Sequence, residues 1–227
     1  MTDAEWEIVF LTLKVAGLSV ALSIVPGVLL GWLLARWESP WRAVLQGVTM
    51  LPLVMPPVVT GYILLKILGR RGPLGQAWES ITGGSIAYTT GAAVIAASVV
   101  GFPLLVEAVR ISILGVNPKL EQVSRSLGRG KGYTFLRVTL PLSFAGLIGG
   151  AVLSFARALG EFGATIVLAG NTPGETQTVP LAVYSLMNST DGDSAAMRLV
   201  GFSVAISMAA LLSAAYLARV QRRKLRD

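Results

Sequence analysis

The sequence contains no cysteine and no histidine among its 227 residues. Without cysteine there is no disulfide framework, thiol nucleophile or thiolate metal site. The lack of histidine removes the commonest general base and the commonest metal ligand. We therefore expect no catalytic residue, no metal site and no cofactor bound to this chain.

Charged residues are also scarce, at 14%, whereas soluble domains average about 25%. Hydrophobic residues make up 53% of the chain, and the mean hydropathy of +0.68 is typical of a membrane protein. The net charge of +7 would suggest nucleic acid in a soluble protein. Here the basic residues cluster at the ends of apolar runs, so they indicate membrane orientation instead. The acidic first residues contain no basic side chain, so no secretory signal is expected.

Five apolar runs are long enough to cross a bilayer, whose core needs about 20 helical residues. They span residues 8–35, 43–69, 86–106, 138–160 and 199–218, and the fourth is expected to continue toward Leu168. Lipid offers no partner to open backbone groups, so each run should be helical. The sequence thus predicts an all-α membrane protein with about five transmembrane helices between residues 8 and 218.

The basic residues are unevenly distributed between the two ends of these helices. Loops 36–42 and 107–137, together with a basic tail at 219–227, hold most of the 19 lysines and arginines. The positive-inside rule places these segments in the cytoplasm. The N-terminus is then outside and the C-terminus cytoplasmic. The other side holds Lys66, Arg70, Arg71, Arg157 and Arg198, with Lys14 near the outer end of the first run.

Proline and glycine interrupt several runs. Prolines occur at 26, 52, 56, 57 and 103. They either set the packing geometry of the helices or allow the bundle to bend, and the residues alone favour neither interpretation. Two glycine pairs have a spacing that lets helices approach closely: Gly27 with Gly31, and Gly146 with Gly150. Residues 178–187 are apolar but too short to cross, which predicts a short helix dipping in from the outer face.

A basic, glycine-rich segment at 117–141 lies between the third and fourth runs. Asn117 can cap a helix, Pro118 suits its first position and Gly128 can end it, so a helix is predicted at 118–127. Its apolar residues form one stripe, composed of Leu120, Val123 and Leu127. Glu121 and Arg125 have the spacing of an ion pair on another face. Such a helix lies on the membrane or docks in a groove of a partner protein.

The stretch 128–132, GRGKG, does not have the spacing of a phosphate-binding P-loop, and neither does any other segment. It is interpreted as a flexible basic connector. Because no nucleotide site is visible, the chain is not expected to be an enzyme, and any ATP chemistry must come from another protein.

The same segment resembles the cytoplasmic signature of ABC importer permeases, which reads Glu-Ala-Ala, three residues, Gly, nine residues, Ile-x-Leu-Pro. Gln122-Val123-Ser124 lies at the triplet, Gly128 at the glycine, and Val138, Leu140 and Pro141 at the end. The acidic residue is one place early, at Glu121. The resemblance implies that the helix couples the permease to an ATPase subunit through the following residues: Leu120, Glu121, Gln122, Val123, Ser124, Arg125, Leu127 and Gly128.

Four further stretches resemble the membrane subunit of molybdate importers: LPLVMPPVVTGYILL at 51–65, GRRGPLG at 69–75, SFARALGEFGATI at 154–166 and PGETQTVPLAVYSL at 173–186. The resemblance implies a type I ABC importer permease bundle in the inner membrane. It also implies a second copy of the chain, two ATPase subunits carrying ATP and Mg, and an extracytoplasmic oxyanion-binding protein. Sulfate, thiosulfate and tungstate permeases are close alternatives, and an ion-coupled secondary transporter is a rival of another class.

Arg157 and Glu161 are charges within a predicted membrane segment, and such charges are functional candidates. Their spacing of four suits a structural ion pair at the helix end. The alternative is that Arg157 guides a transported oxyanion, while Glu161 weakens the binding of that anion to Arg157. Pairing is the more coherent role, since an unpaired carboxylate would repel an anion.

Overall fold

The computed structural model describes residues 2–189 and 192–224, and within these residues every regular element is helical. The last three residues of the predicted basic tail lie outside the described part. The helices are α1 (Asp3–Arg36), α2 (Trp41–Val54), α3 (Pro57–Leu68), α4 (Pro73–Thr82), α5 (Thr90–Leu114), α6 (Pro118–Ser126), α7 (Lys131–Thr134), α8 (Leu140–Leu159), α9 (Gly163–Leu168), α10 (Val179–Met187) and α11 (Asp193–Lys224). A π-helical turn, Phe135–Thr139, joins α7 to α8.

Four stretches of helix in the described residues are long and apolar enough to cross a membrane: α1, α5, the continuous segment Lys131–Leu159, and α11 over Asp193–Ser213. The second predicted crossing is broken instead of continuous. Its halves, α2 and α3, are bent by 110° at the break, so the described residues hold four spans, or five if this bent pair is one span. The all-α bundle of four to five apolar helices agrees with the prediction.

The break between α2 and α3 has a local cause. Met55 is extended, and Pro56 and Pro57 follow it, so the backbone leaves the helical region before the first of two prolines. By contrast, Pro26 and Pro103 lie inside α1 and α5, which continue through them. Only the proline pair therefore redirects the chain.

The fourth run also ends earlier than its composition suggests. α8 ends at Leu159, Gly160 to Phe162 are not α-helical, and the short α9 begins at Gly163. The expected continuation of one helix toward Leu168 is therefore wrong. The short apolar segment is helical as predicted: it forms α10, whose Val179 N–H donates to Thr12 Oγ1 of α1 at 2.8 Å.

α5 is the central helix, covered by α1 on one side and α8 on another. Small residues permit this close packing. A Cβ at Gly27 or Gly31 would lie 2.8 Å from a side chain of α5, and one at Gly150 would lie 2.9 Å from another. A Cβ at Gly146 would overlap Ser112. Both glycine pairs therefore mark real helix contacts, and both contact the same helix.

Candidate functional site: the α6 helix and its anchors

α6 begins and ends where the sequence indicates. The Asn117 side chain accepts a hydrogen bond from the Lys119 N–H at 3.0 Å, and Pro118 is the first helical residue. Gly128 ends the segment with φ +79°, a left-handed conformation that glycine adopts without steric cost. The helix itself closes at Ser126, one residue short of the predicted end.

The apolar stripe of α6 (Leu120, Val123 and Leu127) faces away from the bundle. These side chains are 48%, 56% and 75% exposed. With Arg129, Tyr133 and Val138 they line an open cleft of about 420 Å³. The Arg129 guanidinium stacks over the Tyr133 ring at 4.8 Å, which gives one wall of this cleft a fixed shape.

The face of α6 that packs against the bundle is polar. Glu121 and Ser124 are its buried residues. The Ser124 and Thr134 hydroxyls lie 2.9 Å apart and share a hydrogen bond. A helix with buried polar residues and exposed apolar ones reverses the usual arrangement. Adjacent exposed apolar side chains of this kind mark an interaction surface.

Glu121 is the central residue of this polar face. Its Oε1 accepts hydrogen bonds from Arg36 Nε at 3.2 Å, from Arg36 Nη2 at 3.0 Å and from Thr139 Oγ1 at 2.7 Å. The sequence-based pair with Arg125 is therefore wrong, because the partner is an arginine 85 residues away. The reason is burial: a carboxylate removed from water needs charged or hydroxyl donors, and Arg125 lies on the exposed side of α6.

Arg36 extends the network to α5. It is the last residue of α1, and its Nη2 also donates to the carbonyls of Ile113 at 3.2 Å and Val116 at 3.1 Å. Ile113 lies in the last turn of α5 and Val116 lies two residues past its end, where backbone acceptors lack helical partners. We call Arg36, Glu121 and Thr139 the anchor network. It connects α6 to the ends of α1 and α5 and to the turn that starts α8.

The remaining residues of the sequence signature surround this network. Gln122 and Arg125 are exposed on α6, Val138 lies in the π-helical turn, and Pro141 occupies the first turn of α8. Leu140 packs in an apolar cluster with Phe135 and residues of α1 and α5. The structure thus brings the start and end of the signature together. The contact that joins them is the hydrogen bond between Thr139 and Glu121, which the signature spacing alone does not indicate.

The second predicted pair lies in a different part of the bundle. Arg157 Nη1 is 2.7 Å from Glu161 Oε2, and the Glu161 side chain is 1% exposed. Glu161 Oε1 accepts the Ala164 N–H at 2.8 Å and so caps the start of α9. α9 packs on α3, where a Cβ at Gly61 would lie 2.8 Å from the Ala164 backbone. The pair therefore holds the break between α8 and α9, and both of its carboxylate oxygens are engaged within the protein.

Sequence comparison places these features in a known context. The profile of the family described as "Binding-protein-dependent transport system inner membrane component" matches residues 27–226. The chain is 47% identical over 224 residues to the Escherichia coli molybdenum transport system permease protein ModB, covering 99% of this chain and 98% of the relative. It is 41% identical over 221 residues to the Haemophilus influenzae protein of the same name, covering 97% and 96%.

Solved structures show the same fold at low sequence identity. The membrane chain of the inward-facing MetNI methionine ABC transporter aligns with a TM-score of 0.75 and 15% identity, covering 97% of this chain and 99% of that one. A bacterial alginate ABC transporter, solved with its alginate-bound periplasmic protein, aligns with a TM-score of 0.72 and 19% identity, covering 96% and 80%. The architecture is that of a type I ABC importer permease. The chain belongs to the family of binding-protein-dependent transport system inner membrane components, and it is a multi-pass membrane protein.

Proposed function

We propose that this chain is the permease subunit of an ATP-driven importer for molybdate or a closely related tetrahedral oxyanion. The observation that carries the proposal is the 47% identity, over nearly the full length of both chains, to a protein named as a molybdenum transport permease. ATP hydrolysis is assigned to a separate ATPase subunit. Cargo delivery is assigned to an extracytoplasmic binding protein.

In this proposal the apolar stripe of α6 docks on the ATPase subunit. The support is the reversed polarity of the helix, whose exposed leucine and valine side chains need a covering surface. Fully burying one such side chain contributes about 1.5–3 kcal/mol. The resemblance of the 122–141 signature to that of ABC importers favours an ATPase over a lipid surface as the partner.

The anchor network would carry the motion of α6 into the bundle. When ATP binding draws the two ATPase subunits together, α6 moves with them. Arg36 and Thr139 would then transmit the displacement to α1 and α8, because Glu121 joins all three elements. The bundle would alternate between inward-facing and outward-facing states, and each ligand would favour the state that it binds better.

The orientation and assembly belong to the same proposal. The excess of basic residues near α6 supports a cytoplasmic position for that end of the bundle and an N-terminus outside. Two copies of the chain would enclose the transport pathway between them. α2 and α3 fit this role because each buries very few of its residues within its own chain.

Uptake competition tests the proposed cargo. Proteoliposomes would contain the permease, its ATPase and the binding protein, and radiolabelled molybdate uptake would be measured with excess tungstate, sulfate or thiosulfate. We expect ATP-dependent molybdate uptake that tungstate suppresses more strongly than sulfate does, because tungstate matches molybdate most closely in size. Strong sulfate uptake with no molybdate uptake would instead assign the chain to the sulfate permeases.

A further inference from the structure

Three basic residues line one cleft at the end of the bundle opposite α6. α5 ends at Leu114 beside the anchor network, and its first residue, Thr90, lies about 36 Å away along the helix axis. Residues 85–89 directly precede α5, and they form one wall of a cleft of about 850 Å³. The end of α3 and the following loop form the other wall, with Lys66, Arg70 and Arg71.

These cations are unusual for their position. In the proposed orientation the cleft is extracytoplasmic, a side where membrane proteins carry few lysines and arginines. The other arginines at this side are ion-paired: Arg157 with Glu161, and Arg198 with Glu5. Within the described residues Lys66 and Arg71 have no carboxylate partner, and Arg70 only approaches the half-exposed Glu79, at 4.0 Å. Among the described lysines and arginines of this side, those without a close carboxylate partner are therefore concentrated in the cleft, apart from Lys14 of α1.

Hydroxyl groups complete the lining. Tyr62, Ser85 and Tyr88 bring hydroxyl groups to the cleft, and among the described residues no carboxylate lines it. Thr89 also lines the cleft, but its hydroxyl donates to the Ile86 carbonyl at 2.7 Å. The Lys66 ammonium lies 5.3 Å from the centre of the Tyr62 ring, which orients this cation toward the cleft wall. Cations combined with hydroxyl donors suit an oxyanion, which accepts hydrogen bonds at every oxygen.

Tyr88 provides an independent indication. Its φ of +63° is the one positive value at a non-glycine residue in the described chain. For a bulky residue this backbone conformation is strained, and strain of this kind concentrates at ligand-binding positions. The Tyr88 N–H donates to the Leu168 carbonyl at 3.0 Å, and the ring lies against Gly170. The surrounding backbone thus holds the phenol in the cleft while the residue stays 61% exposed.

We infer that this cleft collects a tetrahedral divalent oxyanion, molybdate in the proposed transport cycle, at the outer end of the permease. The inference rests on the proposed function for the identity of the cargo. The cations raise the local concentration of the anion and the hydroxyls orient it, while the openness of the cleft keeps binding weak enough for onward release.

The test measures equilibrium binding of radiolabelled molybdate to the purified permease–ATPase complex in lipid nanodiscs, without the binding protein. We expect saturable binding that unlabelled sulfate displaces. Changing all three cations to glutamine should weaken binding about ten-fold, the effect of three charges about 7 Å from a divalent anion in screened solvent. Lys14→Gln, a basic position outside the cleft, should bind as the wild type does.

A charge-conserving variant separates binding from folding. Lys66→Arg, Arg70→Lys and Arg71→Lys combined should retain binding within about two-fold, and ATPase activity of each complex reports its integrity. Absence of saturable binding to the wild type, or equal binding by the glutamine variant, would overturn the inference. It would also be overturned if the glutamine variant lost affinity only for the binding protein, since the cations would then serve protein docking.

The outcomes for this cleft and for the proposed function can be told apart. In one outcome the wild-type complex imports molybdate with ATP and yet shows no binding at the cleft. This result removes the cleft inference and leaves the proposed function intact. Sulfate-displaceable binding at the cleft without molybdate uptake supports the cleft as an oxyanion site and removes molybdate as the cargo.

Discussion

The substitution Glu121→Gln tests the anchor network most sharply, because glutamine keeps the shape of the side chain and removes its charge. Two arginine nitrogens donate to Glu121 Oε1, at 3.0 and 3.2 Å. Glutamine still offers a carbonyl acceptor to the Arg36 nitrogens and to the Thr139 hydroxyl, but it removes the ion pair. Its cost should therefore lie below the about 3–5 kcal/mol of breaking a buried pair outright, at about 2 kcal/mol. Truncation in Glu121→Ala should cost about 3–5 kcal/mol, because it leaves the Arg36 cation without a carboxylate partner.

A loss of about 2 kcal/mol shifts the equilibrium between α6 attached to the bundle and α6 detached from it by up to about thirty-fold. α6 should still bind the ATPase through its exposed stripe, but it should move the bundle less. We therefore expect ATP hydrolysis to continue while the molybdate imported per ATP falls several-fold. The assay measures both rates in the same proteoliposomes.

Matched variants at Thr139 serve as controls for this assay. Thr139→Ser keeps the hydroxyl and should import as the wild type does, whereas Thr139→Val should lower import per ATP in the same direction as Glu121→Gln. Wild-type import per ATP in Glu121→Gln would refute the transmission role. A proportional loss of ATPase activity and import would refute it too, because that pattern indicates failed ATPase docking.

Three other changes test separate parts of the structure. Aspartate at all three positions of the apolar stripe should abolish ATPase co-purification without lowering the melting temperature of the permease, whereas Ser126→Asp on the same helix should not. Arg157→Ala should lower the melting temperature, as expected for about 3–5 kcal/mol lost when a buried carboxylate is left unpaired. Adding Glu161→Gln should partly restore it. Gly146→Ala should destabilise the α5–α8 contact, and Gly149→Ala, with open space around its Cβ position, should be neutral or slightly stabilising.

Each of these predictions has a clear contrary result. Normal ATPase binding by the aspartate triple variant would show that the stripe does not dock there. Independent, additive effects at Arg157 and Glu161 would show that they do not act as a pair. Equal melting temperatures for the two glycine variants would mean that α5 and α8 are less closely packed than in the structure.

The helical architecture could be predicted because long apolar runs leave little alternative in a bilayer. The capping residues Asn117, Pro118 and Gly128 also predicted α6 to within one residue of its end. Local reasoning could not find the partner of Glu121, since Arg125 fits the helix spacing and Arg36 is distant in sequence. That partner is decided by which helix ends meet, and only the folded bundle determines this.

The breaks between helices, and the cleft lined by Lys66, Arg70 and Arg71, could not be predicted from the sequence either. Pro26 and the Pro56–Pro57 pair both look like helix breakers, yet only the pair redirects the chain. The composition of the fourth run gave no sign that Glu161 would cap a new helix at α9. For the cleft, the sequence does place Lys66, Arg70 and Arg71 close together. Their convergence with Tyr88 depends on how the end of α3 meets the start of α5.

Accumulation of radiolabelled molybdate in proteoliposomes, measured with and without the ATPase subunit, is the decisive experiment for ATP-driven import. We expect accumulation against a gradient only when the ATPase, ATP and the loaded binding protein are all present, and none when the ATPase is withheld or the stripe of α6 carries aspartates. Sustained accumulation by the permease without any ATPase, driven by an ion gradient alone, would contradict this expectation.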